Sequence, residues 1–125
     1  IYTLSLHDAL PIFRADFEQL HFTGGYDHNY VLGRPGEKKI MANAYCRESG
    51  IALEAETDCC GVQFYAGNFI GEQTGKGGAS YHDRSAFCLE SQFYPNAVNE
   101  PDFPSPVVKA GDTYHTETSY LFYLR

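Results

Sequence analysis

Apolar and polar positions alternate with a period of two over most of the chain, the pattern of strands whose successive side chains point to opposite faces. The longest such run is Lys39 to Arg47, where Ile40, Ala42, Ala44 and Cys46 are expected on one face and Lys39, Met41, Asn43, Tyr45 and Arg47 on the other. Glu48-Ser49-Gly50 reads as a hairpin turn into Ile51 to Thr57, with Ile51, Leu53 and Ala55 opposed to Glu54 and Glu56. An antiparallel pair with one wet face follows. A glycine turn, Gly24-Gly25, leads into a strand that ends at Leu32 and presents Asp27 and His28 at its start. Val62 to Ile70 places Gln63 and Tyr65 on one face, and Gly67 marks a bulge or a close backbone approach. Phe87, Leu89, Ser91 and Phe93 alternate with Cys88, Glu90 and Gln92, and the strand stops in a loop holding Pro95, Pro101 and Pro104. Tyr114, Thr116, Thr118, Tyr120 and Phe122 share a face of the last strand.

Little else is periodic. Ala15 to Leu20 suits one helical turn, too short to stand alone. Gly71 to Ser80, with four glycines, reads as a mobile surface loop. Its Gly75-Lys76-Gly77-Gly78 lacks the strand-to-helix setting and spacing of a phosphate loop. Residues 1–12 differ in character from the rest and resemble a translated sequencing-adapter tail, leaving 13–125 as the native portion.

Composition sharpens this to one all-β domain. The 125 residues leave room for little more than one domain, and 15% aromatic content argues against disorder. A net charge of −7 opposes nucleic-acid binding, which needs a basic face. No apolar run approaches the roughly 18 residues of a membrane span. Cys46, Cys59, Cys60 and Cys88 form no C-x-x-C pair and are too sparse for a disulfide framework, so a metal site is poorly supported and four reduced thiols in a cytoplasmic protein are expected.

Candidate chemistry begins with Glu90, a carboxylate in the middle of an otherwise apolar and aromatic strand. Such a group is costly unless it is paired, hydrogen-bonded or used. The plain alternative is a structural carboxylate held by Arg84 or a backbone donor. Asp27 has its own alternative as a turn residue satisfying its own backbone, and Gln63 as an ordinary sheet residue. His28, His82 and His115 read as turn or surface histidines, and nothing recommends His21.

Four runs change the weighting. They are Gly25-Tyr26-Asp27-His28-Asn29-Tyr30-Val31-Leu32, Gly61-Val62-Gln63-Phe64-Tyr65-Ala66-Gly67-Asn68-Phe69, Phe87-Cys88-Leu89-Glu90-Ser91-Gln92 with Pro95-Asn96-Ala97-Val98-Asn99, and Phe103-Pro104-Ser105. In this order and spacing the chain resembles the C-terminal part of the galactose mutarotase (aldose 1-epimerase) family. The resemblance implies a portion of a large antiparallel β-sandwich, with Glu90 as the catalytic base and Asp27 and Gln63 as residues that hydrogen-bond sugar hydroxyls. It implies a monosaccharide substrate, galactose or glucose, and no metal or organic cofactor. It further implies that two histidines, one of them the general acid, and a sugar-binding arginine lie upstream of these residues. Two positions depart from the family pattern: Cys60 stands where proline is usual, and Ala86 where glycine is usual. If residue 86 needs a positive φ, alanine would be strained there.

Two other functions stay open at this level. A carbohydrate-binding module could use Tyr65 and Tyr94 to stack on sugars, but would not need Glu90. A hexose 6-phosphate epimerase would need clustered basic residues, whereas the nine Lys and Arg are scattered. Oligomeric state is not encoded in any pattern.

Overall fold

The computed structural model describes residues 3–5 and 18–125. Most of the tail read from residues 1–12, and the first part of the Ala15–Leu20 turn, lie outside the described residues. The chain is all-β with little helix. In order come β1 (Thr3–Ser5), α1 (Glu18–Thr23), β2 (Asp27–Val31), β3 (Lys39–Tyr45), β4 (Ile51–Thr57), β5 (Gly61–Tyr65), β6 (Gln73–Thr74), β7 (Ser80–Tyr81), β8 (Cys88–Gln92) and β9 (Thr118–Leu124). They build a four-stranded sheet in the order β1-β3-β4-β9, a three-stranded sheet β2-β5-β8, and a small β6-β7 hairpin. Apart from the parallel pairing of β1 with β3, the ladders are antiparallel.

The two larger sheets share a core of Met41, Ala42, Ala55 and Val62, with Leu32 and Leu89 packed against it. Alternation then fixes the rest of the three-stranded sheet. Val62 and Phe64 are buried, Val62 in the core shared with the four-stranded sheet, so Gln63 and Tyr65 face away from it. A chain of hydroxyls supplements the apolar contact. Ser91 Oγ on β8 lies 2.7 Å from Thr118 Oγ1 on β9, which lies 3.0 Å from the fully buried Thr57 Oγ1 on β4. Cys59 N donates to Thr57 Oγ1 at 3.2 Å, and Tyr120 Oη donates to the Leu89 carbonyl at 3.2 Å. Strand β9 thereby joins both sheets.

Two expectations need correction, and one condition is resolved. The alternation of β3 breaks: a register shift between Ile40 and Ala42 turns both Met41 and Ala42 inward and leaves Ile40 41% exposed. A bulge adds one residue to one strand and so reverses the faces on one side of it. Gly71 to Ser80 is a hairpin around a short 3-10 turn, Lys76–Gly78, and not loop throughout. Ala86 is unstrained, because the left-handed non-glycine positions among the described residues are Arg84 and Asn96.

Candidate active site

Residue Asp27 is placed by its backbone neighbours. The Tyr26 carbonyl accepts hydrogen bonds from Ala66 N and from Asn68 Nδ2, both at 2.9 Å. The turn before it requires glycine: at Gly25, with φ of +143°, an added Cβ would lie 2.1 Å from Asn68 Oδ1. Asp27 is consequently the first residue of β2, and its carboxylate reaches across the sheet instead of back to its own turn. Gln63 Nε2 donates to Asp27 Oδ1 at 2.7 Å. An ionised carboxylate only accepts hydrogen bonds, so this contact turns the other end of the Gln63 amide, Oε1, away from Asp27.

Register brings the third residue in. Asn29 pairs with Gln63, and Gln63 pairs with Glu90, in one row across β2, β5 and β8. Directly opposed side chains on one face have Cβ atoms about 4.5–5.5 Å apart. Asp27, Gln63 and Glu90 are thus brought to the outer face of the three-stranded sheet. The expected cost of Glu90 does not arise. Strand β8 is an edge of this sheet, and Glu90 is exposed on the outer face, where water solvates it. The Arg84 guanidinium donates to the Gly24 carbonyl at 3.0 Å. Cys88, two residues from Glu90 on the same face, has its thiol pushed up in pKa, first by burial and then by the Glu90 charge.

Aromatic rings flank the row on both sides along β5. Tyr65 pairs with Asp27, and its hydroxyl accepts a hydrogen bond from Phe69 N at 2.9 Å. At the other end, a Cβ on Gly61 would lie 2.9 Å from Asn29 Oδ1 and 3.1 Å from the Tyr94 ring, so glycine there lets both approach. Tyr94 packs edge-on against Phe103, with ring centroids 5.2 Å apart. The loop that carries it is ordered by its own side chains. Ala97 N donates to the Tyr94 carbonyl at 3.1 Å, Asn99 Nδ2 to Asn96 Oδ1 at 2.6 Å, and Asn96 occupies a left-handed position that asparagine tolerates. Burial raises the Tyr94 phenol pKa, with a smaller contribution from Cys60.

His28 points to the opposite face of β2 from Asp27, with its ring 6.1 Å from that of Tyr26. Among the described residues no group of three or more His, Cys, Asp or Glu side chains could hold a metal ion. Asn29 shares this face opposite Gln63, and sequence reasoning passed over it. Its signal was its position two residues from Asp27 on an alternating strand, which puts both on one face. What distinguishes it, the burial of its amide, depends on strands distant in sequence.

Comparison with known proteins bears on this arrangement. Residues 7–121 match the family described as aldose 1-epimerase. The galactose mutarotase of Sus scrofa is 44% identical over 106 residues, which cover 84% of this chain and 31% of that protein. The galactose mutarotase of Homo sapiens is 44% identical over 99 residues, 78% of this chain and 29% of that protein. The aldose 1-epimerase of Escherichia coli (strain K12) is 34% identical over 113 residues, 88% of this chain and 32% of that protein. The chain spans about a third of the length of the curated relatives it matches.

Proposed function

Because the chain belongs to the aldose 1-epimerase family, we propose that it is the proton-accepting part of a mutarotase that interconverts the α and β anomers of galactose or glucose. The observation that carries this reading is the single row in which Glu90 stands opposite Gln63 while Gln63 is bonded to Asp27 at 2.7 Å. Opening a hemiacetal ring requires a base at the C1 hydroxyl and an acid at the ring oxygen. Glu90, on an open sheet face and solvated, is the base: its carboxylate takes the C1 hydroxyl proton as the C1–O5 bond breaks, and returns it when the ring recloses on either face of C1. Positioned general acid–base groups of this kind contribute about 10²–10⁴ in rate.

Asp27 and Gln63 bind a neutral polyol. The carboxylate accepts hydrogen bonds from sugar hydroxyls, and the Gln63 amide, oriented by Asp27, offers an oxygen to another. Tyr65 and Tyr94 add flat apolar surface for the C–H faces of the ring. The ring-oxygen acid is a histidine upstream of these residues on the family resemblance, and His28 on the inner face is not a substitute. A 6-phosphate substrate draws no support from the basic residues near the sheets, since Lys38 pairs with Glu117 and Lys39 donates to the carbonyls of Arg34 and Cys59.

The test is polarimetry on the full-length protein that carries this segment. Freshly dissolved α-galactose should reach its equilibrium rotation far faster than in buffer, with no added metal or cofactor. A relaxation rate equal to that of buffer, from a folded protein that binds the sugar, would replace the mutarotase reading with that of a binding module.

A further inference from the structure

Two polar side-chain atoms on the outer face of the three-stranded sheet are buried without a hydrogen-bond partner: Asn29 Nδ2 and Gln63 Oε1. They belong to residues directly opposed across β2 and β5. One can only donate and the other can only accept. A buried amide atom left unpaired is destabilising, because it has given up water and gained nothing in return. Gln63 Oε1 is not free to turn elsewhere. The Asp27 carboxylate holds Gln63 Nε2, which fixes the direction of Oε1. On the Asn29 side, the carboxamide oxygen lies against Gly61, 2.9 Å from where a Cβ there would stand, with the Tyr94 ring 3.1 Å from the same point.

A hydroxyl group is the ligand that satisfies a donor and an acceptor at once, since its oxygen accepts while its hydrogen donates. We propose that Asn29 is a third sugar-binding residue, and that one hydroxyl of the substrate accepts from Asn29 Nδ2 while donating to Gln63 Oε1. Asp27 then has two roles. It binds the sugar, and it sets the polarity of this two-point contact by fixing the Gln63 amide. A contact needing both halves of one hydroxyl discriminates against a sugar that lacks that hydroxyl or carries it in the other configuration, because both amide atoms are then left unpaired.

The inference rests on the mutarotase reading for the placement of the sugar beside Glu90. It is tested in the full-length protein with Asn29→Ala, Asn29→Ser and Gln63→Ala, each checked for an unchanged thermal midpoint. The substrates are galactose and its 2-, 3-, 4- and 6-deoxy derivatives, followed by polarimetry and by titration calorimetry. On galactose, the KM and Kd of Asn29→Ala should rise about three- to tenfold with kcat within about twofold, the loss of one neutral hydrogen bond made equally in ground and transition states. For one deoxy sugar the unchanged protein, Asn29→Ala and Gln63→Ala should be alike, and the double variant should be no worse than either single one. An equal loss on every deoxy sugar would make Asn29 a structural residue, and no loss on galactose would also overturn the proposal. If the unchanged protein binds galactose without turnover, the mutarotase reading fails while calorimetry still judges Asn29. If it binds no sugar, both fall.

Discussion

Single residues on the outer face of the β2-β5-β8 sheet divide into those that hold charge and those that hold direction. Asp27 does both, so removing its charge while keeping its shape is informative. In Asp27→Asn the charge-assisted bond to Gln63 is lost and the amide is no longer forced into one orientation. KM for galactose in the full-length protein is expected to rise about 10- to 100-fold, the worth of a hydrogen bond to a charged group, with a smaller change in kcat. Steady-state polarimetry measures both, and an unchanged KM would remove Asp27 from sugar binding. Much of this arrangement was legible in the sequence, because a period of two places Gln63, Tyr65 and Glu90 on predictable faces. The solvation of Glu90 was not legible. Alternation gives the face of a side chain but not whether its strand lies at the edge of a sheet.

At the scale of elements, β9 is tied to both larger sheets by polar side-chain contacts. Thr57→Val keeps the volume but strands the Cys59 N–H and removes a partner of Thr118, so the fold should lose about 1–3 kcal/mol, as for a buried group left unpaired. Urea melts of the full-length protein would show this, and a midpoint within error of the parent would mean the hydroxyl chain contributes nothing. The approach to β9 depends on pH. Asp58 Oδ1 accepts from Thr116 Oγ1 at 2.6 Å and Glu117 N at 3.0 Å, and these bonds, the hydroxyl first, hold its carboxyl below its ordinary value of 3.8. A pKa depressed by folding means that the contribution is complete above the unfolded value and is lost as pH falls through the folded one. Amide protection of Glu117 should therefore drop below about pH 4. Asp58→Asn, which keeps an acceptor but cannot titrate, should remove that step. The β3 bulge shows why element boundaries read well from the pattern while faces did not: Met41 and Ala42 are adjacent, and only pairing with β4 reveals that both turn inward.

Among the described residues of the molecule the core is thin and much apolar surface is uncovered. Its buried hydrophobics are mainly alanines and cysteines with Met41, Val62 and Phe64, whereas Phe122 is 65% exposed and Leu124 80% exposed on β9. Strand β9 lies at the edge of its sheet, where unpaired backbone groups and apolar side chains invite association. The 125 residues alone are expected to associate at micromolar concentration and to leave the mutarotation rate of galactose at its buffer value, as light scattering and polarimetry would show. A monodisperse, active 125-residue chain would contradict this. The β-rich class and the four motif runs were readable along the chain, but the thinness of the core was not, because it depends on which faces find a partner sheet. Whether Glu90 takes the C1 proton is read from the kcat of Glu90→Gln in the full-length protein, measured by polarimetry beside its galactose affinity. In that variant kcat should fall by about 10²–10⁴ with sugar binding and thermal midpoint retained; a kcat equal to that of the unchanged protein would mean that Glu90 is not the base.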